Sequence, residues 1–203
     1  MLISLYVDII KTLNMSLQGS ITTADFLDFD TTMAKANKNL KSEKEFKIAF
    51  LTILGLNLGL RISDLLQLKH KDLLGDELVL TEKKTKKRRI LRVNDNVKTA
   101  YTIFICRLKA YSEDDYLFLS QKKSVYTIKH VNRLLKQQYG VRGKNISSHS
   151  LRKSFGRRVW VNDNYSERAL IMLSRLFNHT NIATTKIYLG IQQQELNDIY
   201  TNL

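Results

Sequence analysis

The stretch HSLRKSFGRRVW, residues 149–160, decides how this chain is read. His149 and Arg152 stand three apart, so on a helix the imidazole and the guanidinium share one face and converge on one ligand. Ser147 and Ser148 precede them, which leaves a plain helix-starting role open for His149. Upstream, GLRISDL (59–65) sets Arg61 just past Gly59, where one helix ends and turns into the next, with Asp64 in the first turn of the second. Downstream, FNHTNIATTKIY (177–188) holds His179 and Tyr188 nine apart, with Thr185 three before the tyrosine. The basic run EKKTKKRR (82–89) adds ammonium groups, Lys84 among them.

Together these segments supply two guanidiniums, two imidazoles, a phenol and an ammonium. Phosphodiester chemistry needs charge on the nonbridging oxygens, a nucleophile, and an acid for the leaving oxygen. Arginine suits the first task, because its planar fork bonds two phosphate oxygens and does not deprotonate. A tyrosine hydroxyl, with a pKa near 10, becomes reactive only beside cations and a base. Neither a metal-ligand cluster nor a carboxylate pair accompanies the basic motifs, which disfavours a metal nuclease.

In this order the residues resemble the catalytic domain of the tyrosine recombinases, the phage integrase family, over about residues 42–190. The resemblance implies that Arg61 and Arg152 clamp the scissile phosphate, that His149 moves protons or positions groups beside the tyrosine, and that His179 completes the set. It implies that Tyr188 attacks, leaving a 3′-phosphotyrosyl link and a free 5′-hydroxyl, with no metal, cofactor or ATP. The family places a general-acid lysine at a hairpin turn before threonine or glycine. Lys84 before Thr85 matches that pattern best, with Lys83 and Lys86 as alternatives. Asp64 occupies the supporting acidic position. The remaining hairpin cations, Lys83, Lys86, Lys87, Arg88 and Arg89, are expected to bind DNA. Two departures stand out. Phe177-Asn178-His179 replaces the usual Leu-Gly-His, and asparagine tolerates the left-handed backbone that glycine permits. The stretch from Arg152 to His179 is longer than usual, which predicts an enlarged loop around VNDNYSE (161–167).

The chain has 203 residues, 33 of them Lys or Arg against 19 Asp or Glu, a net charge of +14 that suits a polyanion such as nucleic acid. Residues 1–41 carry Lys11, Lys35, Lys38 and Lys41 against Asp8, Asp25, Asp28 and Asp30, so all of the excess lies from residue 42 onward. At 43% hydrophobic residues the chain builds a core, and it holds no apolar run long enough to span a membrane. Asp8 interrupts the apolar N-terminus, which reads as an amphipathic helix and not a signal peptide. The single Cys106 fits a reducing cytoplasm and a buried core position.

Proline is absent, so helix ends are read from caps and glycines. Helices are predicted over 1–16 and 23–38. A capping box of Ser42 with Glu45 opens another, which ends near Gly59, and a short one starts at Ser63. ELVLT (77–81) and RRILRV (88–93) form a β-hairpin around the basic turn. A helix follows over 96–111, DYLFLS (115–120) is a third strand or an extended link, and helices occupy about 124–139, 148–163, 166–177, 181–187 and 191–201. The expected fold class is α+β, mostly α-helical with one small antiparallel sheet, and the resemblance implies the tyrosine recombinase catalytic-domain fold of DNA breaking-rejoining enzymes. The expected organisation is a short helical arm (1–41), the catalytic domain (42–190) and a tail helix (191–203).

Family members carry a substantial N-terminal DNA-clamping domain that 41 residues cannot build, so DNA binding is expected to be weak and steeply salt-dependent. The tail face of Ile191, Leu196, Ile199 and Tyr200 packs on its own domain or docks on a neighbouring subunit. The leading expectation is a site-specific recombinase of integrase or Xer-like type. Its partners are double-stranded DNA, further copies in a tetramer on DNA, and accessory proteins that set direction. A type IB topoisomerase-like nicking-closing enzyme and a DNA-binding accessory protein descended from a recombinase remain as alternatives.

Overall fold

Caps and long-range hydrogen bonds, more than local propensity, set the helix boundaries. The computed structural model describes residues 24–191 and Thr201. The helix expected over 1–16 and nearly all of that expected over 191–201 lie outside the described residues. The first described helix, α1 (Phe29–Leu40), starts where the Asp28 carboxylate accepts the Thr31 N–H at 2.9 Å. It begins later than expected because residues 24–28 are held extended. The Asp25 N–H bonds the Asn145 carbonyl at 2.9 Å, and the Leu27 N–H bonds Ser154 Oγ at 2.8 Å.

Helix α2 (Phe46–Leu58) is buried almost all round and forms the axis of the main core. The expected Ser42/Glu45 capping box does not form. Glu45 is the N-cap residue without a side-chain bond to the helix, and its carboxylate instead takes the Gln138 amide at 2.5 Å. Gly59 ends α2 in the left-handed region at φ 58°, and a Cβ there would lie 2.3 Å from the Phe155 ring. The turn makes Arg61 the N-cap residue of the short α3 (Ile62–Leu65). A 3-10 turn at His70–Leu73, unannounced in the sequence, leads to the expected hairpin of β1 (Glu77–Thr81) and β2 (Arg88–Arg92), antiparallel with Leu78 opposite Leu91.

Helix α4 (Asp95–Ile105), capped by Asn94, buries Val97, Ala100, Tyr101 and Phe104 at helical spacing. It stops short of residue 111, and Cys106 falls off that stripe, so Cys106 is exposed and not the core residue expected. DYLFLS is an extended link, paired among the described residues through the isolated bridges Lys69–Tyr116 and Leu119–Val125. The remaining helices are α5 (Ile128–Tyr139), α6 (Ser148–Asn162), α7 (Glu167–Phe177) and α8 (Ile182–Leu189). The enlarged loop expected around 161–167 is not there. Val161 and Asn162 continue α6, and a tight turn follows in which the Tyr165 N–H bonds the Trp160 carbonyl at 2.9 Å. The extra residues have gone into helix.

Among the described residues, two apolar clusters result. The larger gathers α1 to α5 around α2, with Phe50 stacked on Phe104 at 4.4 Å; each such buried ring contributes about 1.5–3 kcal/mol. The smaller joins Trp160 of α6 to Leu170, Leu173 and Phe177 of α7 and to Tyr188 and Leu189 of α8. Helix α6 belongs to both, through Leu151 and Trp160. Gly156 lets α8 lie against it, since a Cβ there would come within 2.7 Å of the Leu189 side chain.

Candidate active site

The two clusters meet at the residues singled out in the sequence. Arg61 reaches from the α2–α3 turn, with Nη1 2.8 Å from Glu82 Oε2 and Nη2 2.9 Å from the Phe177 carbonyl oxygen. Arg152, one turn into α6 and only 4% exposed, donates Nη1 to the Gly59 carbonyl and Nη2 to the Phe177 carbonyl at 3.4 Å. Its guanidinium lies 4.2 Å from the centre of the Phe177 ring. Both arginines thus converge on one backbone oxygen at the C-terminus of α7, where the helix dipole is negative. Burial above all pushes the Arg152 pKa down to about 10, so it stays charged at neutral pH.

Glu82, just beyond β1, carries no motif and was not picked out from the sequence. It is 2% exposed and accepts three bonds: from Arg61, from Arg89 Nη1 at 2.6 Å and from Thr85 Oγ1 at 2.6 Å. Burial raises its carboxyl pKa, but the donors Thr85 and Arg89 and the field of Arg61 outweigh burial and hold it below the usual range. One signal was available: Glu82 is the only acid among the seven basic residues of 82–92. Asp64 is also buried; its Oδ1 accepts the Lys83 N–H at 2.9 Å, which pins the hairpin to α3.

The hairpin cations divide. Arg89 is held by Glu82, and Lys87 Nζ bonds Asn178 Oδ1 at 2.7 Å. Lys83, Lys84, Lys86 and Arg88 are exposed around the turn, where Lys86 takes a left-handed φ of 59°. Asn178 does adopt the left-handed conformation expected of it, at φ 56°, ending α7 and delivering His179.

His179 Nδ1 shares a 2.9 Å hydrogen bond with Thr185 Oγ1, and its ring stands edge-on to Tyr188 at 5.2 Å. Burial first, then Arg152 and Arg61, press its pKa down to about 4. His149, in the first turn of α6, has one side open to solvent. Crowding by protein, then Arg152, Lys153, Arg61 and Lys84, lowers its pKa also. Both imidazoles are therefore mainly neutral at pH 7, each with one ring nitrogen unprotonated. Tyr188 lies in the last turn of α8, 6% exposed, against Phe177 and His179. Its hydroxyl is buried without a well-aligned hydrogen-bond partner among the described residues. Burial raises its pKa to about 12 against the opposing pull of Arg152, which approaches it closely, and of Arg61. Among the described residues no group of three or more His, Cys, Asp or Glu comes together to hold a metal ion. None of the described helices is long and apolar enough to cross a membrane.

These shifts have a consequence for stability. His179, His149, the buried His70 and Glu82 all bind protons less readily folded than unfolded. The unfolded chain therefore takes up more protons as pH falls, and stability declines. The histidine part of the loss begins near the unfolded histidine pKa of about 6.5 and, for His179, runs down to about 4. Urea titrations across this range should show a falling midpoint, and His179→Gln should flatten part of the slope.

A fold with a small hairpin beside a helical body, two arginines on one carbonyl, and a histidine–tyrosine pair packed against them defines a class. Residues 26–195 match the model of the phage integrase family, and the chain belongs to that family, the tyrosine recombinases, enzymes of DNA strand transfer. The chain is similar to the probable integrase/recombinase YoeC of Bacillus subtilis (strain 168), 34% identical over 158 residues that cover 74% of this chain and 81% of that protein. It is 30% identical to tyrosine recombinase XerC of Caldanaerobacter subterraneus subsp. tengcongensis over 76% of this chain, but spans only 44% of that protein. Among solved structures it shares its fold with XerA recombinase, with a TM-score of 0.63 at 21% identity over 95% of this chain and 70% of the other. It shares it also with XerH site-specific recombinase bound to palindromic difH substrate, with a TM-score of 0.64 at 22% identity over 89% and 53% of the two chains.

Proposed function

We propose that this protein is a site-specific DNA recombinase that cuts and rejoins strands through a covalent link at Tyr188. The convergence of Arg61 and Arg152 on the Phe177 carbonyl, with Tyr188 and His179 packed beside them, carries this proposal. Of the five N–H donors of a guanidinium, Arg61 spends one on Glu82 and one on Phe177. The rest are available to the nonbridging oxygens of a phosphodiester. The Tyr188 oxygen bonds to phosphorus as the bond to the 5′-oxygen breaks. The phenolic proton passes to neutral His149, and Lys84 protonates the leaving 5′-oxygen. His179, fixed by Thr185, holds the edge of the tyrosine ring. Reversal by a 5′-hydroxyl from another duplex completes exchange, with no energy source beyond the phosphodiester itself. Exposed Lys83, Lys86 and Arg88 bind the flanking backbone of double-stranded DNA, which the net charge of +14 favours. Exchange between two duplexes calls for a tetramer on DNA, with accessory proteins setting direction.

A phenol with a pKa near 12 is protonated at rest, so attack requires phosphate and proton acceptor to be in place together. The test uses nicked duplexes from the DNA flanking the gene, which let the cut strand diffuse away and trap the covalent complex. Wild type is expected to stay attached on a denaturing gel, and Tyr188→Phe to show no attachment while still binding DNA. Attachment by Tyr188→Phe would assign the nucleophile elsewhere.

A further inference from the structure

The extended strap at residues 24–28 lies along α6, and its contacts lead through Arg157 to the turn that bears the tyrosine. Leu27 is tied to Ser154 twice, by its N–H at 2.8 Å and by its carbonyl, which accepts Ser154 Oγ at 2.7 Å. Asp25 and Asn145 exchange two bonds, Asp25 N–H to the Asn145 carbonyl at 2.9 Å and Asn145 N–H to Asp25 Oδ2 at 2.7 Å. Between these anchors the Phe26 ring lies 4.0 Å from the Arg157 guanidinium. Arg157 Nη1 donates in turn to the Leu189 carbonyl at 3.0 Å, the residue after Tyr188. One turn before it, buried Lys153 sits 5.3 Å over the Tyr188 ring, in the field of Asp25.

We propose that Arg157 is a positioning residue for Tyr188, held in that role by the Phe26 strap. The last carbonyls of a helix have no partner within it, and α8 spans only Ile182–Leu189, so its final turn carries Tyr188 with few internal bonds. Arg157 satisfies the Leu189 carbonyl and places a cation at the negative end of the helix. A free arginine side chain samples many rotamers, and an aromatic ring across its plane restricts it to the productive one. Whatever draws residues 24–28 off α6 would therefore loosen the turn bearing the tyrosine. The interpretation rests on Tyr188 being the nucleophile.

The experiment compares wild type, Phe26→Leu, Phe26→Trp and Arg157→Gln by hydrogen exchange with mass spectrometry, alongside single-turnover trapping on saturating nicked DNA. Phe26→Leu and Arg157→Gln are expected to speed exchange over residues 182–190 by about tenfold, with α2 amides unchanged and Phe26→Trp like wild type. Both are expected to slow trapping by about tenfold while DNA affinity stays within about twofold, since the loss falls on the step and not on binding. Unchanged exchange over 182–190 overturns the proposal. So does a uniform rise that includes α2, which would make Arg157 a residue of general stability. Absence of trapping by wild type, with the exchange pattern as expected, would count against Tyr188 as nucleophile and leave the brace standing.

Discussion

Arg152→Ala is expected to abolish covalent attachment to DNA and to lower stability by about 2–4 kcal/mol. The side chain is buried and serves two carbonyls, of Gly59 and Phe177, while its plane lies against the Phe177 ring. Arg61 still serves Phe177 after the change, so only the Gly59 carbonyl is orphaned, which keeps the cost from rising further. Arg152→Lys separates the two roles. Lysine restores charge, but a single ammonium cannot span both carbonyls and a phosphate as a planar fork does. This variant is expected to unfold in urea close to wild type yet to trap DNA about 10²–10³-fold more slowly, the scale seen on losing a transition-state donor. Trapping at nearly the wild-type rate would show that Arg152 holds the fold and not the phosphate.

Gly59→Ala should act on both stability and the site from outside the reacting groups. The left-handed backbone costs an alanine about 1–2 kcal/mol, and displacing the Phe155 ring costs about 1–3 more. A total near 2–4 kcal/mol is expected in urea unfolding. The Gly59 carbonyl also aims Arg152, so a shifted turn misplaces a guanidinium, and misplacement by about 1 Å can slow a reaction by about 10². Trapping should fall by at least tenfold on that scale. Gly59→Asn distinguishes the two sources of strain. Asparagine accepts the backbone conformation but still brings a Cβ to Phe155, so it should be nearly as damaging as alanine if the ring contact dominates. Recovery of most of the stability by asparagine would assign the cost to the backbone instead.

The residues that converge were legible because each rides in a short local pattern. GLRISDL, HSLRKSF and FNHTNIATTKIY pointed to Arg61, His149, Arg152, His179 and Tyr188 through their resemblance to the family's motifs. The left-handed turn at Asn178 and the hairpin were equally local and appeared as expected. What escaped depends on partners distant in sequence. Glu82 is an ordinary hairpin acid until Arg61 and Arg89 close on it. The late start of α1 follows from Ser154 and Asn145, more than a hundred residues away. The capping box lost Glu45 to Gln138 for the same reason. Cys106 was misplaced because α4 ends one residue before it, and side-chain type alone does not reveal where an apolar stripe stops.

Because the two arginines share the main-chain oxygen of Phe177, that shared hydrogen-bond partner does not depend on which side chain stands at 177. Exchanges at position 177 can alter packing and leave that oxygen in place. An inserted or deleted residue in α7 would instead carry the oxygen about 100° round the helix and take both guanidiniums off register. Across related chains, this segment should therefore tolerate apolar exchanges on its buried face while hardly varying in length.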